Sequence, residues 1–141
     1  MSSLKYSSYP GWGTLAAKEI GYSQAVRVGD RIETSGQGGW DPNLTSLSDL
    51  KFPNDIREEI AQAFANVDLN LRDAGGKGWS QVFRVNSYHT VLNDEVNAIM
   101  KEQFEKWMPE HKPIWTEVGV TVLGGGEAMR VEIEVVAWDP K

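Results

Sequence analysis

The chain has no cysteine and only two histidines, His89 and His111. The first absence excludes disulfides, thiolate nucleophiles and Cys-ligated metals. The second leaves no pair of imidazoles at ligand spacing, so no metal site is expected. No run approaches the roughly 20 apolar residues that a membrane-spanning helix needs, and the opening MSSLKYSSYPGWG lacks the apolar segment of a secretion signal. Positive charge is also scarce, with 14 Lys and Arg against 20 Asp and Glu and a formal net charge of −6. That field repels polyanions, so nucleic acid is not an expected partner. The expectation is a cytoplasmic protein with no membrane contact; whether a mitochondrial pool exists is left open.

What the chain does hold is an ordinary globular composition, 40% hydrophobic over 141 residues, enough for one domain with a real core. Six tryptophans are many for this length. Trp12, Trp40, Trp79, Trp107, Trp115 and Trp138 should mostly be buried in the core or in an interface, because exposed indoles invite association.

Residues 1–20 read as an extended Gly/Ser/Tyr-rich arm, and residues 21–141 as a single domain. Ala25–Val28, the pair Gly29-Asp30 and Arg31–Ser35 spell strand, tight turn, strand. Asn54 is a plausible N-cap for a helix whose Ile56, Ile60, Phe64, Val67, Leu71 and Ala74 recur every three or four residues until Gly75-Gly76. Val82–Val91 alternates as a third strand, with His89 on its core-facing side. Asn93 or Asp94 opens a second helix with Val96, Ile99, Met100, Phe104 and Trp107 on its apolar stripe, stopped by Pro109. Trp115–Leu123 reads as a fourth strand, and Gly124-Gly125-Gly126 as a hairpin turn into the last. That last strand is the most regular: Val131, Ile133, Val135 and Ala137 alternate with Arg130, Glu132 and Glu134.

The order β-β-α-β-α-β-β predicts an α+β protein, one mixed sheet with two helices on one face. The other face would carry Arg84, Asn86, Tyr88, Trp115, Glu117, Thr121, Glu132 and Glu134. One layer of helices covers one side only, so copies of the chain are expected to cover the other. Arg84 and Arg130 are expected to pair across strands with Glu117, Glu132 or Glu134.

Several short words now resemble the RidA/YjgF/UK114 family of reactive-intermediate (enamine/imine) deaminases. Gly21-Tyr22-Ser23-Gln24-Ala25 is similar to the family's GPYSQA without its proline, and Thr34-Ser35-Gly36-Gln37 to its TSGQ. Val91-Leu92-Asn93-Asp94, Asn97 in the following helix and Val131-Glu132-Ile133-Glu134 complete the set in family order. The resemblance implies a chorismate-mutase-like fold of the bacterial type, assembled as a homotrimer around a central barrel-like core, with a small-molecule ligand in each inter-subunit cleft. It places Tyr22, Ser35, Gly36, Asn97 and Glu132 in that cleft, with the glutamate holding the water that attacks an imine carbon; no metal or cofactor is required. Tyr88, on the same polar sheet face, is a further expected binding residue.

One departure bears on function. Active deaminases of the family carry an arginine before the fourth strand that clamps the carboxylate of a 2-imino acid; here Trp115 stands in its place. An indole offers one N–H and no charge. Glu117, two residues on, would add a carboxylate and could form an acid/base pair with Glu132. The expected activity is therefore hydrolysis of an enamine, imine or related metabolite of altered specificity. The alternative is a non-catalytic trimer that binds a small molecule or a protein, with Trp115 plugging rather than lining the pocket. The family's endoribonuclease activity is disfavoured by the acidic charge and the lack of a His pair.

Overall fold

The computed structural model describes residues 2–141. It is an α+β protein in which a six-stranded mixed sheet carries its long helices on one face. The strands are β1 (Lys5–Ser7), β2 (Ala25–Val28), β3 (Arg31–Thr34), β4 (Val82–His89), β5 (Ile114–Gly119) and β6 (Val131–Trp138). The helices are α1 (Trp12–Glu19), α2 (Ile56–Asp73) and α3 (Asp94–Trp107). Across the sheet the order is β1-β2-β3-β6-β4-β5, antiparallel throughout except for the parallel pair β4 and β5.

The strand read as most regular is central. Val131, Ile133, Val135 and Ala137 of β6 are all buried against α2 and α3, with Ile60, Phe64, Val67, Leu71, Val96, Ile99 and Met100 as their partners. Asp55, rather than Asn54, caps α2, its carboxylate accepting the Arg57 N–H at 2.9 Å. Asn93 caps α3 by accepting from Val96 N–H at 2.9 Å. Both caps satisfy donors that the first helical turn leaves free.

Four expectations are corrected. Residues 1–20 are not an extended arm: they hold β1 and α1, because Tyr9, Trp12 and Ala16 bury against Trp40, Leu44, Leu123 and Met129 in a second apolar cluster. The fourth strand stops at Gly119, well short of Leu123. Gly124-Gly125-Gly126 makes a tight turn, with Gly126 N–H bonded to Leu123 O at 3.0 Å, but not a hairpin between neighbours, since β4 lies between β5 and β6. Finally, Arg130 does not pair with a strand glutamate. Its Nε and backbone N–H both donate to the fully buried Glu59 of α2 at 2.7 Å, and its Nη2 donates to the carbonyls of Pro53 and Asn54. A desolvated carboxylate needs such a fork, and no other cation reaches Glu59 among the described residues.

Candidate active site

Register decides which candidate residues share a face. Glu132 of β6 lies opposite Tyr88 of β4, and Glu134 opposite Asn86; their neighbours Ile133 and Ser87 point the other way, into the helix layer. Glu132, Glu134, Asn86 and Tyr88 therefore stand on the sheet face that no long helix covers, as expected. Tyr88 Oη donates to Glu134 Oε1 at 2.6 Å, and Asn86 Nδ2 donates to the same oxygen at 3.3 Å. That bond, with burial, pushes the Tyr88 hydroxyl up to about 12. Tyr88 is thus committed to Glu134.

Glu132 sits differently. No hydrogen-bond donor reaches its carboxylate among the described residues. It packs against Gly36, where an added Cβ would fall 2.3 Å from Glu132 Oε1 and 2.5 Å from Cδ. Gly36 comes so close because Gln37 exchanges backbone hydrogen bonds with Ile133, at 2.8 and 2.9 Å, just past the end of β3. Burial raises the Glu132 pKa above the ordinary carboxylate range, and the nearby Glu134 charge adds to the rise. Tyr22 lies close enough that the Glu132 charge adds to the upward push that burial gives its hydroxyl. Ser35 is tethered beside them, its N–H and Oγ–H both donating to Gln24 O at 2.9 and 3.2 Å. Below runs a buried network: Tyr9 Oη donates to Gln37 Oε1 at 2.7 Å, Gln37 Nε2 to Gln24 Oε1 at 2.8 Å, and Trp40 Nε1 to Tyr9 Oη at 3.1 Å. It holds the GYSQA and TSGQ segments together.

Trp115 and Glu117 do not share the sheet face of Glu132, and their placement on that face is corrected. In the parallel ladder Val85 pairs with Trp115 and Ser87 with Glu117, so both side chains share the face of Val85 and Ser87, on the helix side. Trp115 Nε1 donates to the buried Ser87 Oγ at 2.9 Å, and its ring meets Phe104 of α3 edge-on, centroids 4.9 Å apart. His89 Nε2 lies 2.9 Å from Ser87 Oγ and 3.4 Å from Glu117 Oε2. Burial lowers the His89 pKa to about 4, so the imidazole is neutral at pH 7 despite that carboxylate. Asn97, oriented so that its donors meet acceptors, donates to both Glu117 oxygens at 2.7 and 2.8 Å. Burial raises the Glu117 pKa. No acid/base pair of Glu117 with Glu132 exists within one chain.

The chain thus presents two groups on opposite faces of its sheet: Tyr22, Ser35, Gly36 and Glu132 on one, Asn97, Trp115 and Glu117 on the other, at edge strand β5. Ser87 and His89 were missed as members of the second group. Their signal was parity, since both share the inward face of β4 with Val85. Among the described residues no helix is long and apolar enough to cross a membrane, and no cluster of three or more His, Cys, Asp or Glu is placed to hold a metal.

Residues 14–138 match the family model described as Endoribonuclease L-PSP. A 2-iminobutanoate/2-iminopropanoate deaminase of Dermatophagoides farinae is 36% identical over 86% of this chain and 89% of its own. The solved structure of protein YjgH superposes with a TM-score of 0.76 at 30% identity, covering 96% of this chain and 98% of that one. RidA from the Antarctic bacterium Psychrobacter gives 0.71 at 27% identity, covering 98% and 99%. The chain belongs to the RidA/YjgF/YER057c/UK114 family, and its α+β fold is the family's.

Proposed function

We propose that this chain hydrolyses the C=N bond of an enamine-derived or imine metabolite, using water held by Glu132 in a cleft completed by another copy of the chain. The seat of Glu132 carries the reading: a carboxylate pressed on Gly36, without a donor among the described residues, its pKa raised by burial and by Glu134. A carboxylate in that position is a strengthened base with free lone pairs. It takes a proton from water as the water oxygen bonds to the imine carbon. Glu132 hands that proton to the imine nitrogen, giving a carbinolamine; transfer of the carbinolamine hydroxyl proton to the same nitrogen then expels ammonia and leaves a carbonyl compound. Ser35, Tyr22 and the backbone at Gly36 orient the substrate. The deaminase name of the mite relative supports this chemistry.

The two residue groups face opposite ways, so neither encloses a substrate alone. A homotrimer that sets the β5 edge of one chain against the Glu132 face of the next would unite them around a barrel-like core. It would also cover exposed Tyr6, Ile114, Val118 and Trp138. Trp115, in place of the family's arginine, moves specificity away from small 2-imino acids. A second, non-catalytic reading has one observation in its favour: the Trp115 N–H is spent on Ser87 and its ring on Phe104, as a plug would be.

Ammonia release from imines generated in situ by an amino-acid oxidase decides between them. The expected result is turnover that Glu132→Gln lowers by about 100-fold while the fold and the assembly persist. A wild type silent toward every imine offered, with or without a carboxylate, overturns the hydrolytic reading.

A further inference from the structure

We infer that the group formed by Trp115, Glu117 and Asn97 is a subsite for a cationic nitrogen group of the ligand, such as an ammonium, amidinium or guanidinium, and not for a carboxylate. The inference rests on the proposed cleft for its location but on the side chains of this one chain for its chemistry. The donors of the group are already used. Trp115 Nε1–H goes to Ser87 Oγ at 2.9 Å, and the Asn97 amide N–H groups go to Glu117 at 2.7 and 2.8 Å. An anion arriving there finds no free side-chain donor on Trp115, Asn97 or Glu117.

Acceptors and a π face remain. Each Glu117 oxygen keeps a lone pair beyond the bond from Asn97, and the side chain is 17% exposed. Its charge is not cancelled: the only basic group within 4 Å among the described residues is His89, held neutral at pH 7 by burial. Trp115 is 38% exposed and stands two residues from that carboxylate on the same face of β5. A cation beside an indole and a carboxylate gains both the ring quadrupole and the charge.

Glu117 is also held in place. Asn97 grips both oxygens from the first turns of α3, and the buried Ser87 and His89 fix the floor. His89 turns Nε2 toward Ser87 and Glu117, while its buried Nδ1 has no partner. The neighbouring groove of about 430 Å³, flanked by Lys101 and Lys112, shares Trp115 but includes neither Glu117 nor Asn97. It is the alternative seat for an anion.

Benzamidine and benzoate have the same shape and opposite charge, and they test the assignment on the intact assembled protein by calorimetry and tryptophan fluorescence. Benzamidine is expected to bind at least about tenfold more tightly than benzoate. Glu117→Gln should remove that preference, Glu117→Asp should keep most of it, and Trp115→Arg should reverse it. Benzoate binding as tightly as benzamidine to wild type, in the lysine-flanked groove or anywhere else, overturns the inference. So does benzamidine binding that Glu117→Gln leaves unchanged. Should the Gln variant fail to assemble, the wild-type ratio and the Asp variant decide. The hydrolytic reading is judged separately, by ammonia release and Glu132→Gln. Benzamidine binding that needs Glu117 without any imine turnover would sink hydrolysis and leave the subsite standing. Turnover that needs Glu132 without a preference for benzamidine would do the reverse.

Discussion

Gly36 leaves room for Glu132 that any side chain at residue 36 would take, and the asymmetry of that packing is testable. A Cβ at residue 36 would overlap the end of the Glu132 side chain, not backbone. The flexible carboxylate would swing away at little cost to the fold. Gly36→Ala is therefore expected to shift stability by less than about 1 kcal/mol yet to lower kcat/KM by at least about tenfold, compared by thermal melts and ammonia release. Glu134 sets a second expectation. Burial and then its charge raise the Glu132 pKa, so the acid limb of kcat/KM should lie above the ordinary carboxylate range: activity appears as pH rises through that pKa and the base ionises. Glu134→Gln removes the repulsion while keeping an acceptor for Tyr88, and the limb should move to lower pH. An unmoved limb would mean that another group governs it. At this scale the sequence was half legible. The words GYSQA, TSGQ and VEIE pointed to Tyr22, Ser35, Gly36 and Glu132, but the separation of Glu117 from Glu132 was invisible. Which face a side chain takes depends on strand pairing, and parity within β5 alone cannot say which neighbour it pairs with.

Among the elements, α2 and α3 were read from their apolar spacing because tertiary packing reinforced local preference in both. What that spacing hid is the polar side of α2. Glu59, Asn66 and Asn70 are fully buried, Glu59 on Arg130 and Asn66 on the carbonyls of Gly38 and Trp40. These bonds seat the loop after β3, and through it Gly36, on the helix layer. Arg130→Met should leave an unpaired buried carboxylate and cost about 3–5 kcal/mol, read as a lowered midpoint in urea. A loss below 1 kcal/mol would show that Glu59 reaches water. On α3 the Asn93 cap fixes the turn that presents Asn97. Asn93→Ala should cost about 1 kcal/mol, read in the same titration.

For the molecule as a whole, the question is what covers the second face of the sheet. Trp138 and Ile114 are more than half exposed in the single chain, at 52% and 56%, and Val118 and Tyr6 share their face. If copies cover one another there, light scattering should give a mass about three times the 15.7 kDa of one chain. Trp138→Lys combined with Val118→Lys should then yield a folded monomer with unchanged far-UV dichroism and no imine turnover. Neither residue belongs to the groups around Glu132 or Glu117, so loss of turnover would report the assembly. A monomeric wild type at micromolar concentration would remove the shared cleft.

The sequence alone determined the α+β class, the two long helices, the alternation of β6 and the family, because each is written in local periodicity or in short contiguous words. Only the tertiary structure decided that residues 5–19 fold as a strand and a helix, and that Arg130 answers Glu59. It alone put β4 between β5 and β6, so that Glu117 and Glu132 look out from opposite sides of one sheet. Those facts rest on partners many residues away, and no local pattern encodes which distant strand or carboxylate a residue will meet.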